Sequence, residues 1–104
     1  MAAVQHMVLI QFKPDVSEEL ISEIYRQLAE LQRLIPGIEH ISGGPYCSPE
    51  GLNGPYTHGF LVTFESPRAR DVYLPHPEHE RVKEFILPHV TSVVAFDFEV
   101  RDWN

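Results

Sequence analysis

The sequence predicts an α+β fold with the ferredoxin-like element order β-α-β-β-α-β. Three observations carry that prediction. Four segments have the apolar, β-branched composition of strands. A long amphipathic stretch separates the first two strands, and two short helical stretches joined at a proline corner separate the last two.

The first strand spans Val4 to Phe12. At period two, Val4, His6, Val8, Ile10 and Phe12 share one face, and Met7 and Leu9 lie on the other. Lys13-Pro14-Asp15-Val16 turns into a helix with Ser17 as N-cap and Glu18 and Glu19 set favourably against its dipole. Val16 and Ile21 have the spacing of a hydrophobic staple. Leu20, Ile24, Leu28, Leu31 and Ile35 make one apolar stripe, which Pro36-Gly37 ends. A second, weaker strand covers Gly37 to Gly44. Residues 45–57, with three prolines and two glycines, read as a loop, either a lid or a disordered connection.

His58 to Phe64 is the third strand, with His58, Phe60, Val62 and Phe64 on one face. Ser66-Pro67 opens the first part of the second helix, with the proline at a position where its missing N–H costs nothing. That helix ends at Tyr73 or Leu74, because Pro75 cannot continue it. In the corner Tyr73-Leu74-Pro75-His76-Pro77-Glu78-His79, His76 is the expected N-cap of the next helix and His79 falls in its first turn. That helix reaches Leu87, with His79, Val82 and Ile86 on one face, and Pro88 closes it. Thr91 to Val100 is the fourth strand.

A ferredoxin-like sheet covers only one of its faces with its own helices. Met7, Leu9, Leu61 and one of the two alternating series on the last strand therefore need a second cover. A sheet from an identical chain is the simplest one, which predicts a homodimer.

Residues 1–104 are expected to form a single domain. Against 8 Lys and Arg stand 15 Asp and Glu, a formal charge of −7, which argues against nucleic acid or an anionic membrane as partner. Cys47 is the single cysteine, so no intrachain disulfide forms, and no run of about 18 apolar residues occurs. The expectation is a soluble, cytoplasmic protein.

Candidate chemistry centres on histidine. His6 and His58 begin neighbouring strands on the same face. Reading those strands as parallel brings the two imidazoles to one edge, where Asp97 on the last strand would orient an imidazole. With the Tyr73/His79 corner this is a minimal set for acid–base work. The alternative is that each histidine satisfies local backbone groups. His76, Glu78 and His79 also have a spacing permissible for metal ligands, but closely paired Cys and His motifs are absent, and no metal site is expected. No glycine-rich nucleotide loop is present.

Five segments together resemble the stress-responsive dimeric α+β barrel family. They are His6-Met7-Val8-Leu9-Ile10-Gln11-Phe12-Lys13, Tyr56-Thr57-His58, Phe64-Glu65-Ser66, His76-Pro77-Glu78-His79 and Phe96-Asp97-Phe98. The resemblance implies a homodimer whose two sheets close a barrel. It also implies, from a member that cyclises a linear polyketide without a cofactor, His79 as general base, Tyr73 as its partner, and His6 and His58 as substrate-binding groups.

The combined expectation is a pocket between sheet and helices, walled by Val8, Ile10, Leu28, Phe60, Val62, Val82 and Ile86. Its polar residues are His6, His58, Tyr73, His79 and Asp97. Such a wall suits a small hydrophobic ligand with carbonyl or hydroxyl groups. Cofactor-free enolisation or cyclisation is the first functional reading. A ligand-binding or stress-responsive barrel without a reaction is the second, and a cofactor-free oxygenase is the third.

Overall fold

The computed structural model describes residues 2–103. Its elements are β1 (Val4–Phe12), α1 (Glu18–Leu34), β2 (Ile38–Pro45), β3 (His58–Phe64), α2 (Pro67–Tyr73), α3 (Pro77–Ile86), a 3-10 turn (Leu87–His89) and β4 (Val90–Glu99). The strands form one sheet in the order β2-β3-β1-β4. This is the ferredoxin-like α+β fold expected from the element order.

Every neighbouring pair in the sheet is antiparallel, including β1 with β3. The parallel reading of that pair is therefore incorrect. The crossover through α1 returns the chain so that β2 runs in the direction of β1. The loop after β2 then reverses it, and β3 enters between them running the opposite way. In the resulting register His6 pairs with Val62 and His58 pairs with Ile10. The two histidines thus lie four residues apart along β1, roughly 13 Å.

Helix α1 begins as its cap chemistry dictates: the Ser17 hydroxyl accepts from the Leu20 N–H at 3.1 Å. Ile21, Ile24, Leu28 and Leu31 face the sheet and are buried, whereas Leu20 packs only partly against the core. At the end of α1, Gly37 has φ +92°, and a Cβ there would lie 2.6 Å from the Ala69 Cβ. Glycine is required by both backbone and contact, because α2 is seated directly on this turn. The core between helices and sheet includes Val4, Ile24, Leu31, Ile35, Val62, Phe64, Tyr73 and Val82.

The connection after β2 is tied down. Tyr46 N–H donates to the Thr57 carbonyl at 2.8 Å, Gly51 N–H to the Tyr46 hydroxyl at 2.7 Å, and Thr57 N–H to the Ile10 carbonyl at 3.1 Å. Backbone donors that would otherwise need water are satisfied within the loop and against β1.

On the sheet face without helices, the strand pairing aligns Leu61, Met7 and Phe96 in one row. Leu9 and Val94 form a second row, and Phe98 stands opposite Gln5 in a third. Met7, Leu9, Val94, Phe96 and Phe98 are all exposed, Phe96 by 61%. These exposed apolar side chains form a contiguous face across β1 and β4.

Candidate functional site

The proline corner builds one side of the site. Where α2 stops, its last carbonyls lose their helical donors. The Tyr73 carbonyl accepts from His76 N–H at 3.0 Å, and the Leu74 carbonyl pairs with His79 Nδ1 at 2.9 Å. His76 caps α3, its Nδ1 accepting from Glu78 N–H at 3.1 Å. His76 is thus committed to the helix end, and His79 to the pocket side.

The Leu74 carbonyl can only accept, so the proton of neutral His79 sits on Nδ1 and its lone pair on Nε2. Burial of the ring lowers the His79 pKa below 6.5; the bond to Leu74 opposes that shift and the nearby Lys83 charge adds to it. Neutral imidazole, with no hydrogen bond to Nε2 among the described residues, is therefore the form favoured near neutral pH.

Tyr73 meets His79 ring on ring, with centroids 4.1 Å apart and planes inclined by 29°. It also packs edge-on against Phe64 at 4.9 Å and His6 at 6.0 Å. Its side chain is 1% exposed, and burial pushes the phenol well above its usual pKa of 10. The phenol stays protonated, and no hydrogen bond to its hydroxyl is made among the described residues.

His6 comes from β1 and sits opposite Asp97 of β4 in the register. Its Nδ1 is 2.5 Å from Asp97 Oδ1, and Asp97 Oδ2 accepts from Arg70 Nη1 at 2.8 Å. Burial raises the Asp97 pKa, but the bonds from His6 and Arg70 outweigh it and hold the carboxyl below the usual range. An ionised Asp97 accepts from Nδ1 and leaves Nε2 as the uncommitted nitrogen of His6. Arg70 was not foreseen, because its link to β4 joins residues 27 positions apart.

His6 and His79 line a cavity of about 240 Å³ between the sheet and α3. Val8, Ile10, Phe60 and Ile86 line it as expected from the sequence, together with Leu74, Lys83, Leu87, Val90, Val93 and Ala95. The helical spacing of Lys83 from His79, and the alternation of Val93 and Ala95 with Asp97, were available signals for three of these. Leu28, Val62 and Val82 are instead packed inside the core. Tyr73 lies behind His79 rather than in the wall.

His58 stands apart. Its Nδ1 is 2.9 Å from Thr57 Oγ1, and its ring packs edge-on against Phe12 at 5.1 Å. It borders an open groove beside α1 with Tyr25, Gly43 and Tyr46, not the cavity of His6 and His79. Among the described residues, no group of three or more His, Cys, Asp or Glu is placed to hold a metal ion. Among them, too, no helix is long and apolar enough to cross a membrane.

The comparisons with known proteins agree with this architecture. The profile of the Stress responsive A/B Barrel Domain matches residues 4–100. The stress-response A/B barrel domain-containing protein HS1 of Arabidopsis thaliana is 35% identical over 96 residues, covering 92% of this chain and 88% of HS1. Olivetolic acid cyclase of Cannabis sativa is 26% identical over 99 residues, covering 95% of this chain and 98% of the cyclase. A dimeric ferredoxin-like protein of unknown function from Jannaschia sp. CCS1 superposes with a TM-score of 0.84 at 26% identity, covering 94% of this chain and 99% of its own. With a profile match across nearly its whole length, this chain belongs to the stress responsive A/B barrel domain family.

Proposed function

We propose that the chain binds a small apolar molecule bearing a carbonyl or hydroxyl group in the His6/His79 cavity and transfers a proton on it without a cofactor. The observation that carries this reading is His79. It is buried, its Nδ1–H is fixed on the Leu74 carbonyl, and it lines a mostly apolar cavity with Nε2 uncommitted. Such a group is a general base in its working protonation state at neutral pH.

The reaction class is enolisation or intramolecular aldol closure, by analogy with the cyclase relative. His79 Nε2 takes a proton from the carbon next to a carbonyl, and the enolate carbon attacks a second carbonyl of the same molecule. The resulting alkoxide takes a proton back, so one C–C bond forms and no electrons are gained or lost. His6, braced by Asp97, presents Nε2 to the ligand's polar end, and Tyr73 holds the His79 ring by stacking. His58 would reach only a ligand extending to the groove beside α1. The cavity of about 240 Å³ is smaller than most ligand sites, which restricts the ligand to a compact molecule.

We assign the helix-free sheet face to a second copy of the chain, in keeping with the dimeric structural relative. His79→Ala tests the catalytic reading with a linear poly-β-ketone as substrate. Loss of about a hundredfold or more in turnover, with the fold retained, is expected. Unchanged turnover overturns it. Bound ligand without turnover in the unaltered protein favours the second reading, a binding barrel, which the burial of Tyr73 in the core also suits.

A further inference from the structure

We propose that Lys83 makes the His6/His79 cavity selective for ligands that carry a carboxylate, a reading that rests on this cavity being the ligand site proposed above. The wall of the cavity is the starting observation. Among the described residues, Lys83 is the one Lys, Arg, Asp or Glu side chain that lines it, although the chain bears 15 acidic residues and a net charge of −7. The single fixed charge in the wall therefore has the opposite sign to the protein as a whole.

Its position follows from helix geometry. Lys83 is four residues after His79 on α3, so both side chains lie on one face, a turn apart. The rest of the wall beside it is apolar, including Ile86, Leu87, Val90 and Val93. A ligand whose hydrocarbon part fills that region leaves a terminal acid group within reach of a flexible lysine at the rim.

The Lys83 ammonium pairs with Glu80 Oε1 at 2.9 Å. The two side chains are 43% and 47% exposed, so water screens the pair and little is lost by opening it. A ligand carboxylate can replace Glu80 as partner while its tail enters the cavity. A neutral ligand of the same length gains nothing from Lys83. The same ammonium contributes to holding His79 in its neutral form, so the recognition group and the base are compatible neighbours.

The test compares two probes of equal chain length, sodium octanoate and 1-octanol, by calorimetric titration at low and high salt. In the unaltered protein, octanoate is expected to bind about two- to fivefold more tightly, as for a partly exposed ion pair. Salt should erode that preference. Lys83→Ala should abolish it, Lys83→Arg should keep it, and Glu80→Gln should increase it by removing the competing carboxylate. If both probes bind equally to the unaltered protein, or if Lys83→Ala keeps the preference, the proposal is overturned while the cavity remains a ligand site. If neither probe binds, the ligand-site reading and this proposal fall together.

Discussion

The Tyr73 and His79 rings are stacked with centroids 4.1 Å apart, the phenol buried in the core and the imidazole at the cavity wall. The contact runs through ring faces, so what Tyr73 does for His79 in this structure is mechanical. It fixes the ring plane, while Leu74 fixes the tautomer.

Tyr73→Phe keeps the stacked ring and removes only a hydroxyl with no partner among the described residues. Its effect on unfolding free energy should stay within about 1 kcal/mol, whereas Tyr73→Ala should cost about 3–5 kcal/mol through loss of a buried aromatic ring. Denaturant titration distinguishes them. A folded Tyr73→Phe protein lacking turnover would show that the hydroxyl acts chemically.

The depressed pKa of His79 predicts a pH dependence of stability. Because the native state resists protonation, the unfolded chain takes up a proton first as pH falls below 6.5. The contribution of His79 is thus fully present above pH 6.5 and is lost as pH falls through its lower native value. Urea midpoints measured from pH 8 to pH 5 should fall more steeply in the native protein than in His79→Gln. An NMR titration of the ring should place its pKa below 6.5.

Asp97 joins β4 to both β1 and α2 through His6 and Arg70. Asp97→Ala leaves Arg70 and His6 without that acceptor. Because the carboxylate is about a quarter exposed, the expected cost is moderate, about 1–2 kcal/mol. Nitrogen shifts of the His6 ring should also report a changed tautomer, since Nδ1 loses its acceptor. Unaltered shifts would mean that Asp97 does not set the tautomer.

The exposed row of Met7 and Phe96 predicts association. The unaltered chain, 11.9 kDa as a monomer, should sediment at about twice that mass at micromolar concentration. Phe96→Glu should shift it to the monomer, because a charge in the middle of an apolar interface is left unpaired. A monomeric unaltered chain would exclude the sheet-to-sheet dimer.

Much of the fold was legible in the chain itself. Ser17, Ser66 and His76 mark helix starts because a side-chain acceptor followed by the right local spacing is a local property. The proline corner is local for the same reason, since Pro75 and Pro77 act on their own backbone. The excess of apolar residues on both faces of β1 and β4 was readable from period-two alternation.

Strand direction was not, and with it went the placement of the histidines. Alternation shows which face His6 and His58 share but carries no sense of direction, so the antiparallel pairing of β1 and β3 only became visible in the sheet. Register, set by contacts across many residues, put Asp97 opposite His6 and sent His58 to the other end. Burial likewise drew Leu28, Val62 and Val82 into the core and away from the cavity wall. The sequence by itself determined the elements and their caps, because those depend on neighbours a few residues away. The tertiary structure decided which polar groups share a cavity, because that depends on how distant segments pair.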